Sequence, residues 1–122
     1  MTYESVRVVE SRVAGGVTFT VSRMSFERRL ELMRRIRELA RRVEFLEAGG
    51  GPLGQMDAAL LQAEIDREYV SWGLRSISGL ELDGKCATPD LLCTCGPEEV
   101  FREALAAVRA EMGVSTEERK NW

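Results

Sequence analysis

Gly49-Gly50-Gly51-Pro52 interrupts the longest helical pattern of the chain, and the segments on either side must fold around that break. Glycine loses more backbone freedom on entering a helix than any other residue, and proline lacks the amide that a helix interior needs. Before the break, Ser25 is placed to cap a helix over 25–48. Within it Leu32, Ile36, Leu39, Ala40, Val43 and Leu46, joined by Phe26, Leu30 and Met33, recur at the spacing of one broad apolar face. The opposite face carries Glu27, Glu31, Arg34, Arg35, Glu38, Arg41 and Arg42. Glu31 with Arg35, and Glu38 with Arg42, have the i,i+4 spacing of a solvated, salt-bridged surface. Phe45 departs from this pattern. It projects among Arg34, Arg41 and Arg42, and an aromatic set among arginines is a composition that recurs at protein contacts.

After the break, the periodicity predicts a helix over 55–71 with two apolar stripes. Met56, Ala59, Leu60, Ala63 and Val70 lie on one side, and Leu61, Ile65, Tyr69 and Trp72 roughly opposite. A helix that is apolar on two sides needs two partners. Either it is the central element of the domain, or one stripe is an oligomer or client interface.

Upstream, residues 3–22 read as a β-hairpin. Val17, Phe19 and Val21 alternate with Thr18, Thr20 and Ser22, Val6 and Val8 offer a partner strand, and Ala14-Gly15-Gly16 supplies the turn. An isolated hairpin is marginal in water, so it must dock. Downstream, Gly73, Gly79 and Asp83-Gly84 break up residues 73–84, where Leu74, Ile77, Leu80 and Leu82 anchor a strand or an ordered loop. Thr88-Pro89 starts a short helix over 88–95. Pro97 opens a helix over 98–112, closed by Gly113, with Val100, Phe101, Ala104, Leu105, Val108 and Met112 on its core face. Ser115-Thr116-Glu117-Glu118 matches a capping box for a last short turn. The expected architecture is mainly α: a single domain over 1–122, small and helical, with an N-terminal β-hairpin.

The 122 residues contain no histidine, which removes the commonest general base and metal ligand. Cys86, Cys93 and Cys95 supply three thiols where a zinc site wants four ligands, and an odd count argues against a disulfide framework. Small, semi-buried reduced thiols are the expectation. Gly49-Gly50-Gly51-Pro52-Leu53-Gly54 satisfies G-x-G-x-x-G literally, but a helix precedes it where a dinucleotide site needs a strand. It reads as a flexible helix–helix linker. Paired carboxylates (Glu64 with Glu68, Glu81 with Asp83, Glu98 with Glu99) lie in no apolar stretch that would tune them for acid–base work. No catalytic residues, no cofactor and no metal are therefore expected.

Net charge is −3, divided into +3 over residues 1–47 and −6 over the remainder, and fifteen of the seventeen bases are arginine. A nucleic-acid binder is usually basic overall, so nucleic acid is not the expected partner. The dipolar distribution suits pairing between the two halves or between copies of the chain. No apolar run reaches the roughly 20 residues that span a bilayer, and residues 1–10 lack the apolar core of a secretory signal.

From Trp72 onward the landmarks follow in a familiar order: Trp72-Gly73-Leu74, Ile77-Ser78-Gly79-Leu80-Glu81, Asp83-Gly84, Thr88-Pro89, Gly96-Pro97-Glu98-Glu99 and Ser115-Thr116-Glu117-Glu118-Arg119-Lys120-Asn121. This order resembles the tail assembly chaperone-like proteins of tailed phages and prophages. The likeness covers roughly residues 70–121, and its motifs are turn and cap signals. It implies a non-enzymatic morphogenesis factor in the bacterial host cytoplasm, binding the tape measure or tail tube protein, with a homo-oligomer as a further expectation and no membrane partner. The contact residues it would use are Leu61, Ile65, Tyr69 and Trp72 for apolar surface, and Phe45 with Arg34, Arg41 and Arg42 for register. A structural subunit of the tail or injection apparatus is the alternative, and a DNA-associated regulatory domain the third.

Overall fold

The computed structural model describes residues 1–49 and 51–112, so Gly113 and the Ser115 capping box lie outside the described residues. The fold is mainly α, with four helices among the described residues and an N-terminal antiparallel β-hairpin. The chain divides into two compact units, where the sequence suggested one domain. One is residues 1–24 with the described residues from Val70 onward; the other is Ser25–Tyr69.

The first unit is built on a three-stranded antiparallel sheet, β1 (Val6–Glu10), β2 (Thr18–Ser22) and β3 (Leu74–Ser78), in the order β1-β2-β3. Val17, Phe19 and Val21 are buried, as their alternation predicts. On β1 the partners are reversed from expectation. Arg7 and Val9 lie opposite Val21 and Phe19 and share their face, whereas Val6 and Val8 lie opposite Ser22 and Thr20, leaving Val8 exposed. The third strand fills the segment that the sequence left between strand and loop. Its buried residues, Leu74 and Ile77, are three apart, which strict alternation forbids. A bulge at Arg75, where Thr20 pairs with Ser76 and Val21 with Leu74, turns both toward the core.

Two short strands, β4 (Glu81–Leu82) and β5 (Lys85–Cys86), form a separate hairpin. Asp83 and Gly84 both have positive φ, 52° and 79°, the backbone that a two-residue primed turn requires. Thr88 caps α3 (Pro89–Cys95), its hydroxyl accepting from the Leu91 amide at 3.2 Å. The last helix, α4 (Glu98–Glu111), packs across β2 and buries Val100, Ala104, Leu105, Ala107 and Val108. Gly73 lets the chain enter β3 against this helix, since a Cβ there would come within 2.5 Å of Val108. Polar contacts hold the same pairing. Arg7 forms an ion pair with Glu111, and the Glu103 carboxylate accepts from the Ser11 hydroxyl and the Arg12 amide at the β1–β2 turn.

The second unit is an antiparallel helical hairpin. Its first arm is αA (Phe26–Gly49) and its return arm αB (Gly51–Gly73), whose residues from Val70 onward belong to the first unit; each helix is roughly 35 Å long at 1.5 Å per residue. Ser25 caps αA as predicted, accepting from the Arg28 amide at 3.2 Å. Helix αB starts at Gly51, four residues before the predicted 55, so Gly51–Gly54 form its first turn where the sequence suggested a flexible linker. Among the described glycines here, Gly51, at φ 59°, is the one in a conformation that other residues avoid. Pro52 occupies the first turn, where its missing amide costs no hydrogen bond. At Gly54 an added Cβ would approach the Leu46 carbonyl oxygen to 3.1 Å, so the arms are already close there. Farther along, Arg35 pairs with Glu68 at 2.7 Å, in place of the expected Glu31; Glu31 faces Arg28 instead. Among the described residues no helix is long and apolar enough to cross a membrane.

Candidate functional site

The helical hairpin carries the chain's unusual surface. Of the large apolar side chains left exposed, six belong to it: Phe26, Met33, Phe45, Leu53, Met56 and Leu60. Scattered exposed apolar residues need no explanation, but a concentration on one element does.

On αB the two stripes are resolved by burial. Leu61, Ile65 and Tyr69, with Ala58, are 3–7% exposed, and Trp72 on the last turn is also buried. They form a packed stripe and present no free surface, which corrects the expectation that Leu61, Ile65, Tyr69 and Trp72 offer apolar surface to a client. Leu53, Met56 and Leu60 lie at i, i+3 and i+7, roughly 150° around the helix from the buried set, and are 65–76% exposed. The distinguishing signal was present in the sequence. Gly54 and Ala58 precede Leu61 in the same stripe, and small residues permit the closest approach of packed helices. A helix that starts at 55 excludes Leu53 and Gly54, the residues that extend the two stripes toward the N-terminus.

Toward the end of αA and the start of αB, Arg41, Arg42, Phe45 and Leu46 of αA and Asp57, Leu60, Leu61 and Glu64 of αB line a groove of about 620 Å³. This groove brings together Phe45, Arg41, Arg42 and Leu61 from the expected contact set. It leaves out Arg34, which lies 4.0 Å from Glu27, and the buried Ile65, Tyr69 and Trp72. Its electrostatics are two-sided: an arginine pair on one arm and two carboxylates on the other, with Phe45 and Leu60 also lining it. None of the four charged residues makes an ion pair among the described residues. A second apolar surface runs along αA past Leu30, Met33, Ile36 and Ala40, flanked by Arg34, Arg37, Arg41 and Glu44.

All three cysteines are thiols, with no disulfide among them. Cys86 and Cys95 are exposed and Cys93 half-buried, so two of the three are more open than expected. Cys95 donates to the Leu91 carbonyl oxygen at 3.3 Å. Among the described residues no group of three or more Cys, Asp or Glu side chains is placed to hold a metal ion. What the hairpin presents is exposed apolar area with charges of both signs around it. Comparison with protein-family models, with curated proteins and with solved structures finds no match for the chain.

Proposed function

We propose that the protein is a non-enzymatic assembly factor acting through its helical hairpin, and specifically a tail assembly chaperone that holds a phage tail tube or tape measure protein in the host cytoplasm. The observation that carries the contact role is the concentration of six exposed large apolar side chains on the hairpin. Exposed apolar area costs solubility unless something covers it, and a holding protein must keep such area available. The tail assignment rests on the resemblance from Trp72 onward. Its motifs coincide with local backbone demands, the Asp83-Gly84 turn and the Thr88 cap among them.

Co-expression with the proteins encoded beside it tests the reading. The chain is expected to co-purify with a tube or tape measure protein and to be absent from finished particles. Replacing Met33 by Asp is expected to reduce capture while leaving the far-UV circular dichroism unchanged. Failure to retain any tail protein sinks the proposal, and a fixed copy number in purified particles turns it toward the structural subunit.

A further inference from the structure

The groove at the hairpin tip has the charge arrangement of a surface that binds itself. Arg41 and Arg42 stand on one arm, Asp57 and Glu64 on the other, and Phe45 lies beside them 79% exposed. Leu46 approaches Gly54 and Arg35 pairs with Glu68, so Arg41 and Arg42 lie about level with Leu60 and Leu61. A two-fold axis running along the hairpin would place αA of one copy antiparallel on αB of the other at the same level. The arginine pair of each copy then meets the carboxylates of its partner, twice over, and the apolar side chains that line the groove are covered. This is what an isologous interface demands of a single patch. An axis across the hairpin sets αA on αA and brings the arginine pairs against their own equivalents, which like-charge repulsion disfavours. Whole-helix charge favours the same choice: αA has seven arginines against five glutamates, and αB one arginine against four acids.

We infer that the hairpin tip pairs with a second copy of this chain, αA on αB, forming a two-fold four-helix contact. The inference deepens the contact-protein reading on which it rests, and leaves the Met33 surface of αA to the client.

Sedimentation velocity on the full chain tests it. The wild type is expected to be a dimer at about 100 µM, and Leu60→Asp to raise the dissociation constant at least about tenfold. Two charge variants then fix the geometry. The chain with Arg41→Glu and Arg42→Glu has two acidic sides, and the chain with Asp57→Arg and Glu64→Arg has two basic ones. Each alone is expected to be monomeric, and their mixture to pair one to one, because both contacts become complementary again. A monomeric wild type, a dimer indifferent to Leu60→Asp, or variants that fail to pair with each other each overturn the inference. Capture of a tail protein by a monomeric chain would overturn the pairing alone; a dimer that captures none would overturn the chaperone reading alone.

Discussion

Ser11, at the end of β1, donates its hydroxyl proton to the Glu103 carboxylate on α4, closing a contact between residues 92 positions apart. The same carboxylate accepts from the Arg12 amide at 2.7 Å, while the Ser11 oxygen accepts from the Ala14 amide at 2.9 Å. One acid thus satisfies the backbone of a turn and fastens the β-hairpin to the helix that covers it. A turn without such a partner must find water for these groups or leave them unpaired.

Glu103→Ala is expected to destabilise the protein by about 1–3 kcal/mol, because it removes an acceptor shared by two donors. Glu103→Gln keeps one carbonyl oxygen and should lose roughly half as much. Equilibrium urea unfolding measures both, and equal losses would show that the carboxylate's two acceptors are not what matters.

Two glycines with nearly the same φ should respond differently to alanine. At Gly84, φ 79°, an added Cβ meets nothing within 4 Å, so the cost is left-handed strain of about 1 kcal/mol. At Gly79, φ 82°, the Cβ would lie 2.2 Å from the Gly16 carbonyl oxygen. Gly79→Ala is expected to cost about 3 kcal/mol as the β1–β2 turn is pushed aside. Thermal unfolding of the two variants decides whether the turn is held that tightly.

The stripes of αB separate core from surface. Ile65→Ala is expected to cost about 2–4 kcal/mol through the cavity it leaves. At chain concentrations low enough to keep the protein monomeric, Leu60→Ser and Phe45→Ser should stay within about 0.5 kcal/mol of wild type. Denaturation midpoints at constant m-value test the contrast, and a large loss at Leu60 would mean that the buried and open stripes are exchanged.

Arg35 and Glu68 clamp the hairpin partway along its length, the arginine Nε and Nη2 both reaching one carboxylate oxygen at 2.9 and 2.7 Å. Both side chains are more than a third exposed, so the coupling is modest. A double-mutant cycle to alanine should give about 0.5–1 kcal/mol at low salt, shrinking as salt screens the pair. Coupling that is unaffected by salt would point to packing by the arginine stem instead.

Local signals were legible in the sequence wherever one residue decides one piece of backbone. Thr88 caps α3, Ser25 caps αA, and Asp83-Gly84 makes a tight turn, as read. What escaped were features set by partners distant in the chain. The bulge at Arg75 conceals β3 because Leu74 and Ile77 break the alternation by which strands are recognised. The partner of Arg35 is 33 residues away, and a rule about i,i+4 neighbours cannot find it. Choosing between the stripes of αB required knowing that the helix begins at Gly51, which a run of glycines before a proline argues against. The arginines around Phe45 were found from the sequence; the acids and Leu60 that complete the groove were not.

β2 ends at Ser22 and β3 begins at Leu74, and the two strands are antiparallel neighbours. Topologically they are a hairpin whose turn has been replaced by two helices of 24 and 23 residues. Closing about fifty residues of loose chain costs roughly 2 kcal/mol more than closing a four-residue turn. Arms of nearly equal length remove most of that penalty if they pair first, since they return the chain close to its point of departure. On that expectation the helices form first from local contacts, and the third strand is delivered to the sheet last. Lengthening one arm without the other would slow that delivery and leave the stability of the finished sheet much less affected.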